Sequence, residues 1–167
     1  GVGRLILIAA TLALLLGGGW FVYSARFSPQ AWMDRGTRLY AAGRSEAAKG
    51  WFQKAASARP RMVEPHLYLA RIARDDRDYS LARQELERAL ALEPRNPATL
   101  REMGGVMFAE GRYELARRFY IRALQERPDD RLAQGYLGCS LIQLGRVQEG
   151  RRFVRRAGPG AWSNCAP

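Results

Sequence analysis

The stretch that decides the fold is residues 97–130, PATLREMGGVMFAEGRYELARRFYIRALQERPDD. Its first half carries Leu100, Met103 and Met107 at the spacing of one helix face. The glycine at position 111 is typical of a helix end, because only glycine adopts the left-handed backbone without steric cost. The second half repeats the helical spacing with small and aromatic residues and stops before Pro128, which cannot continue a helix. The stretch therefore predicts two helices joined by a tight turn.

The same pattern recurs along the chain with a period of 34 residues and no insertion. The period defines four units, 29–62, 63–96, 97–130 and 131–164. The positions in register are alanine or glycine at 48, 82, 116 and 150, alanine at 55, 89, 123 and 157, and proline at 60, 94 and 128. Such a repeat predicts an all-α solenoid of about four helical hairpins.

These residues resemble the tetratricopeptide repeat (TPR) family. The first unit matches the family pattern through Trp32, Gly36, Leu39, Gly43, Ala48, Phe52, Ala55 and Pro60. The second unit departs from it at Ala70 and Arg77, where glycine is usual. The fourth departs further, with Gly150 in place of alanine and Trp162 in place of proline, which favours a role as the solvent-facing cap of the array.

The resemblance implies a protein-binding domain over residues 28–164, followed by a tail at 165–167, with the first helices of the hairpins lining a concave groove. The groove residues implied are Met33, Tyr40, Leu67, Arg71, Arg74, Arg101, Phe108 and Tyr136. Their mixture of aromatic, aliphatic and arginine side chains suits an acidic or amphipathic peptide segment. The lysine–asparagine pattern with which some TPR domains hold a C-terminal carboxylate is missing at the matching positions.

The second helices carry a basic residue at two positions of every unit. Stacking would align these residues into a convex ladder: Lys49, Lys54, Arg83, Arg88, Arg117, Arg122, Arg151 and Arg156. The chain has a formal net charge of +11. An acidic protein face, anionic lipid headgroups and plain solvation of the outer surface are all compatible with the ladder. Nucleic acid is not an expected partner of a membrane-anchored domain.

The N-terminal segment predicts a membrane anchor over residues 1–27. Positions 5–25 hold no charged residue, a length that crosses a bilayer as one helix. We expect an uncleaved single-pass anchor in a bacterial inner membrane, the alternative being a cleaved secretory signal with Val22-Tyr23-Ser24 at the cleavage site. Ala9, Ala13 and Gly17 lie on one face of this helix and favour packing against other membrane helices. The domain is expected in the periplasm, with a cytoplasmic placement as the alternative.

No catalytic, metal or cofactor-binding residues are predicted. The one histidine, His66, replaces Trp32 in register and is expected to pack in a helix face. A Ser or Cys nucleophile would need a histidine in a different place. Cys139 and Cys165 can pair only if the C-terminal segment folds back. The expected function is a non-catalytic subunit of a larger inner-membrane complex, for example an electron-transfer or photosynthetic one, whose TPR domain binds a neighbouring subunit. The alternative is an assembly factor that binds client peptides transiently.

Overall fold

The computed structural model describes residues 17, 18, 20 and 28–165. Within this part of the chain the regular structure is entirely helical. The α-helices are α1 (Pro29–Ala41), α2 (Ser45–Ala58), α3 (Val63–Asp75), α4 (Tyr79–Leu92), α5 (Pro97–Ala109), α6 (Tyr113–Glu126), α7 (Arg131–Gln143) and α8 (Val147–Ala157), followed by a 3₁₀ helix at Ala161–Cys165. The predicted all-α class with four hairpins is confirmed.

The chain divides into two compact units, residues 1–60 and residues 61–167. In the first unit, α1 packs against α2 as one hairpin. In the second, three hairpins stack in order, α3 on α4, α5 on α6 and α7 on α8, with α3, α5 and α7 forming one row. Residues 61–167 therefore form an α-solenoid of three repeats.

Each hairpin turns at the register of the predicted glycine. Gly43, Gly111 and Gly145 have φ values of 73°, 73° and 80°, and Arg77 takes the same conformation at 63°. The amide of the residue after each of them bonds back to the last turn of the helix, as Arg112 does to the Met107 carbonyl at 2.9 Å. Arg77 shows that the hairpin geometry overrides the preference of a non-glycine residue for negative φ.

Side-chain caps start most of the first helices. The side chains of Ser28, Asn96 and Asp130 accept hydrogen bonds from the amides of Ala31, Thr99 and Ala133 at 3.0–3.1 Å. These cap residues lie at the position just before each 34-residue repeat. Met62 holds that position before the second repeat and provides no side-chain cap.

Small residues set the distance between the two helices of a hairpin, as the sequence predicts. A Cβ added to Gly36 would lie 2.5 Å from the Phe52 ring, and one added to Gly104 would lie 2.8 Å from the Tyr120 ring. Both aromatic rings are almost completely buried. The alanines of the register ladders at 48, 55, 82, 89, 116 and 123 are 0% exposed, so the second helices pack with no room for a larger side chain.

Candidate functional site

A cavity of about 450 Å³ opens among the first helices of the 61–167 unit. All three helices of the row contribute to it, α3 through Arg74, α5 through its middle turns and α7 through its first turns. The lining residues are Arg74, Arg101, Glu102, Gly105, Phe108, Ala109, Tyr120, Leu132 and Tyr136. The predicted groove residues Arg74, Arg101, Phe108 and Tyr136 thus lie around one cavity.

Aromatic rings form one wall of the cavity. The Tyr136 ring lies 5.8 Å from that of Phe108 in an edge-to-face arrangement and stacks on that of Tyr120 at 6.2 Å. Phe108 also meets Tyr113 edge to face at 5.2 Å. Leu132 at the rim is 43% exposed, which is unusual for a leucine in this unit. The wall therefore offers apolar surface to a ligand side chain.

Two arginines of α3 hold the buried carboxylate of Glu102 on α5. Arg71 Nε donates to Oε1 at 2.8 Å, and Arg74 Nη1 donates to Oε2 at 2.9 Å. Arg74 Nη2 also lies 3.4 Å from the exposed carboxylate of Asp75. The Arg74 guanidinium is therefore fixed at the cavity by one carboxylate of its own helix and one of α5, while Arg71 binds Glu102 from beside the cavity.

A third arginine joins the same cluster from α5. Arg101 lies 3.6 Å from Glu102 Oε1, and its Nη1 donates to Asp130 Oδ2 at 2.6 Å. A guanidinium carries five N–H donors, and a carboxylate uses one or two of them. Arg74 and Arg101 therefore bring guanidinium groups to the lining of the cavity.

Tyr120 forms the buried end of the cavity and stays neutral. Burial raises the pKa of its phenol far above the usual value, and the charge of Glu102 acts in the same direction. The hydroxyl therefore presents a neutral group at physiological pH. The site combines an apolar wall with arginine donors, which suits a ligand that has both apolar and acidic groups.

Glu102, Gly105, Ala109, Tyr120 and Leu132 line the cavity but are missing from the sequence prediction. A signal for Glu102 existed in the 34-residue register, where Tyr68, Glu102 and Tyr136 share one position. Gly105 leaves room for Arg74, since a Cβ there would lie 3.3 Å from Arg74 Nη1. The 34-residue register marks Gly104, which aligns with Gly36 and Gly138, but gives no such signal for Gly105.

The other predicted groove residues lie elsewhere. Met33 is 4% exposed and Leu67 is 8% exposed, so both pack inside their own units and offer almost no surface to a partner. Tyr40 is half-buried in the 1–60 unit. Arg71 stands beside the cavity and acts on it through Glu102.

The predicted basic ladder lies on α2, α4, α6 and α8, but acidic neighbours neutralise part of it. Arg83 pairs with Glu110, Arg88 with Glu85 at 2.9 Å and Arg117 with Glu114 at 2.6 Å. Other members pack over aromatic rings, Lys54 over Trp32 and Trp51, Arg122 over Phe119 and Arg156 over Phe153. The remaining members are half-buried Lys49 and Arg151.

His66 packs in a helix face, as predicted. Only 8% of it is exposed, and its Nδ1 lies 2.6 Å from Glu85 Oε2, a carboxylate that also binds Arg88. Within residues 28–165 and the few described positions before them, no cluster of three or more His, Cys, Asp or Glu residues could hold a metal ion.

The cysteines pair. A disulfide joins Cys139 on α7 to Cys165 at the end of the 3₁₀ helix, with 5.3 Å between the Cα atoms. The C-terminal segment thus folds back, and Cys165, placed in a tail by the sequence prediction, belongs to the folded domain.

The predicted anchor lies almost wholly outside the described residues. Ala9 and Ala13 belong to the part left undescribed, and Gly17 is an exposed helical position. Among the residues that the structure does describe, no helix has both the length and the apolar character needed to cross a membrane.

Solved structures with the same arrangement of helical hairpins include MamA, with a TM-score of 0.69, 18% identity, and 78% of this chain and 76% of that chain covered. TTC0263, a thermophilic TPR protein of Thermus thermophilus, matches with a TM-score of 0.71 and 21% identity, over 78% of this chain and 73% of that chain. PilF of Pseudomonas aeruginosa matches with a TM-score of 0.73 and 25% identity, over 77% of this chain and 59% of that chain.

Two family models match the sequence itself, and both describe a tetratricopeptide repeat. One covers residues 33–97 and the other residues 73–135, so together they span more than half of the chain. No curated protein matches over any part of the sequence. The chain is therefore a member of the tetratricopeptide repeat family, whose helical hairpins serve as scaffolds for protein interaction.

Proposed function

We propose that the protein is a non-catalytic interaction subunit of a bacterial inner-membrane complex, and that the 61–167 unit binds an acidic, amphipathic segment of a neighbouring subunit in the cavity. The observation that carries the proposal is the cavity itself. Its aromatic wall and its arginine cluster face the same space, next to an exposed leucine. An amphipathic segment places apolar side chains on such a wall, while its carboxylates accept hydrogen bonds from the arginines.

Two features support a membrane-attached, periplasmic setting. The uncharged run at positions 5–25 has the length of a bilayer-spanning helix. The disulfide between Cys139 and Cys165 is a bond that persists in oxidising compartments such as the periplasm.

The setting is tested by purifying the full-length chain from its own membranes in a gentle detergent and measuring intact mass by mass spectrometry. A discrete complex with this chain at a whole-number ratio supports the subunit role and names the neighbours. Many clients at low and variable ratios favour the assembly-factor alternative. A chain that leaves the membrane without detergent contradicts the anchor.

The binding mode is tested with a matched pair of surface substitutions. Leu132→Asp puts a negative charge at the cavity rim, whereas Leu144→Asp puts the same charge on another exposed leucine, 37% accessible, which does not line the cavity. A fluorescent peptide of three Glu-Leu-Leu-Glu-Glu-Leu-Gln heptads serves as the acidic probe, with Lys in place of Glu in the control peptide.

We expect Leu132→Asp to weaken binding of the acidic probe about tenfold, because the new charge repels the carboxylates of the peptide. Leu144→Asp should bind the probe with nearly the affinity of the wild type. The Lys peptide should bind more weakly than the Glu peptide. Equal effects of the two substitutions, or preference for the Lys peptide, would place the binding surface elsewhere.

A further inference from the structure

The C-terminal segment that follows α8 packs against α7. Trp162 is only 4% exposed, and its indole N–H donates to the Gly158 carbonyl at 2.8 Å. The indole rests directly on Gly135, where an added Cβ would lie 2.1 Å from the ring. Any side chain at position 135 would push the indole away, so the contact requires glycine there.

Two further links hold the same segment in place. The disulfide ties Cys165 to Cys139, which lies one helical turn beyond Gly135 and is 0% exposed. Arg131, at the start of α7, donates to the carbonyls of Ala157 at 2.7 Å and Pro159 at 3.2 Å. We call residues 158–165 with these links the C-terminal clasp.

The clasp covers the face that a following repeat would cover. Arg101 lies 34 residues before Gly135 and contacts Asp130, the cap residue of the next first helix, α7. Arg71 lies at the register of Cys139, two units earlier, and contacts Glu102 in the next first helix. In the last hairpin the described chain provides no further repeat. There, Trp162 contacts Gly135, at the register of Arg101, and the disulfide joins Cys139, at the register of Arg71.

The clasp also reaches the cavity through one aromatic ring. Trp162 meets Tyr136 edge to face at 6.1 Å, and Tyr136 in turn contacts Phe108 and Tyr120 in the cavity wall. Tyr136 therefore stands between the clasp on one side and the ligand space on the other.

We propose that Trp162 is a positioning residue for Tyr136, and that the Cys139–Cys165 disulfide makes this positioning, and with it partner binding, dependent on redox state. The inference rests on the proposed binding role of the cavity. A dithiol reductant supplies two electrons and two protons, the S–S bond breaks, both cysteines become thiols, and the reductant becomes a disulfide. Cys165 is partly exposed whereas Cys139 is completely buried, so Cys165 is the more accessible partner for an attacking thiolate. After reduction, only the indole packing and a few hydrogen bonds hold the clasp on α7.

The first measurement follows Tyr136 without any ligand. The full chain is labelled with 3-fluorotyrosine, and the ¹⁹F resonance of Tyr136 is assigned with Tyr136→Phe. We expect reduction by dithiothreitol, Cys165→Ser and Trp162→Ala each to shift or broaden this resonance. Trp162→Phe, which keeps a ring edge against Tyr136, should restore most of the wild-type signal, and Leu144→Ala should leave it unchanged.

The second measurement is the affinity of the acidic Glu-Leu heptad peptide for the same proteins. Since an aromatic pair contributes a modest amount beyond its buried area, we expect a loss of roughly three- to tenfold on reduction and in Trp162→Ala, with recovery in Trp162→Phe. Circular dichroism checks that each variant keeps its helices, and reduction of the wild type covers the case in which Trp162→Ala unfolds.

The two proposals fail in different ways. A Tyr136 resonance that is identical in the oxidised, reduced and Trp162→Ala proteins overturns the clasp whatever the peptide does. An unchanged affinity beside a shifted resonance also overturns it, because the clasp would then be structural only. A peptide that binds no form of the protein contradicts the acidic-segment function, while the resonance still decides whether the clasp positions Tyr136.

Discussion

The third and the fourth hairpin share one repeat length, yet their helices meet in different ways. In the third, the Tyr120 ring lies against Gly104 of the facing helix. In the fourth, an added Cβ on Gly138 would lie 2.7 Å from the Gly150 carbonyl oxygen, and one on Gly150 would lie 2.5 Å from the Gly138 carbonyl oxygen. A ring-to-glycine contact is replaced by a backbone-to-backbone contact.

This difference shows which part of the chain covers the apolar surface of the last hairpin. With Val154 in the place of Tyr120, the fourth hairpin lacks a large ring of its own at this register. The C-terminal clasp provides one from outside, as Trp162 on Gly135. The inner hairpins are covered by the hairpins beside them, whereas the last hairpin is covered by residues 158–165, which the disulfide ties to α7.

Loss of the disulfide should have the largest effect on stability. The bond closes a loop with a sequence separation of 26 residues, for which loop-closure entropy corresponds to about 3.5 kcal/mol. We expect Cys165→Ser to lower the free energy of unfolding of the 61–167 unit by that amount, as measured by urea denaturation. An unchanged urea midpoint would mean that the clasp contributes nothing to completing the last hairpin.

Gly150→Ala should lower stability by about 2 kcal/mol, because the methyl group meets the backbone of α7 and cannot be relieved by moving a side chain. The repeat pattern alone predicts the opposite, since the other units have buried alanine at this register. Thermal unfolding checks it against Gly50→Ala on α2, where an added Cβ meets no atom within 4 Å. That control should gain about 0.5–1 kcal/mol from helix propensity. A gain in both variants would refute the backbone contact between α7 and α8.

Arg77→Gly should raise stability by about 1 kcal/mol, since glycine takes positive φ without the steric cost that arginine bears. The matched variant Gly111→Ala, at the same turn of the next hairpin, should lose a similar amount. Chemical denaturation of both variants would sharpen the comparison of hairpins, and a loss in Arg77→Gly would show that its side chain is needed.

Tyr120→Phe should change the response to alkaline pH and little else. Because burial raises the pKa of Tyr120 in the folded state, the unfolded state loses this proton first. Stability from this residue is therefore complete below the ordinary tyrosine pKa of about 10 and falls as the pH rises above it. We expect the phenylalanine variant to resist alkaline unfolding to a higher pH, followed by circular dichroism. The same alkaline midpoint in both proteins would contradict a buried, neutral Tyr120.

The 34-residue register predicts the hairpins, their turns and the glycines between helices, because those depend on local conformation and on small residues at fixed places. The resemblance to the TPR family, and not the period itself, predicts four of the cavity residues, Arg74, Arg101, Phe108 and Tyr136. Glu102 was missed because its role depends on Arg71 and Arg74 of the preceding hairpin, a contact that its register position does not specify. Tyr120 was missed because it lies on a second helix, whereas the resemblance places the groove on the first helices. Residues 158–165 lie where the repeat pattern breaks down, so neither the contact of Trp162 with Gly135 nor the disulfide could be read from periodicity.

The central claim is that the cavity in the 61–167 unit holds a segment of a neighbouring subunit. The most direct test is photo-crosslinking in cells, with benzoylphenylalanine in place of Leu132 at the cavity rim and, in a second strain, in place of Leu144 away from it. We expect the photoreactive residue at position 132 to crosslink to one acidic, amphipathic segment of a subunit that also co-purifies at a fixed ratio, and the one at position 144 not to crosslink to it. Crosslinks to that subunit from position 144 but not from position 132 would contradict the claim.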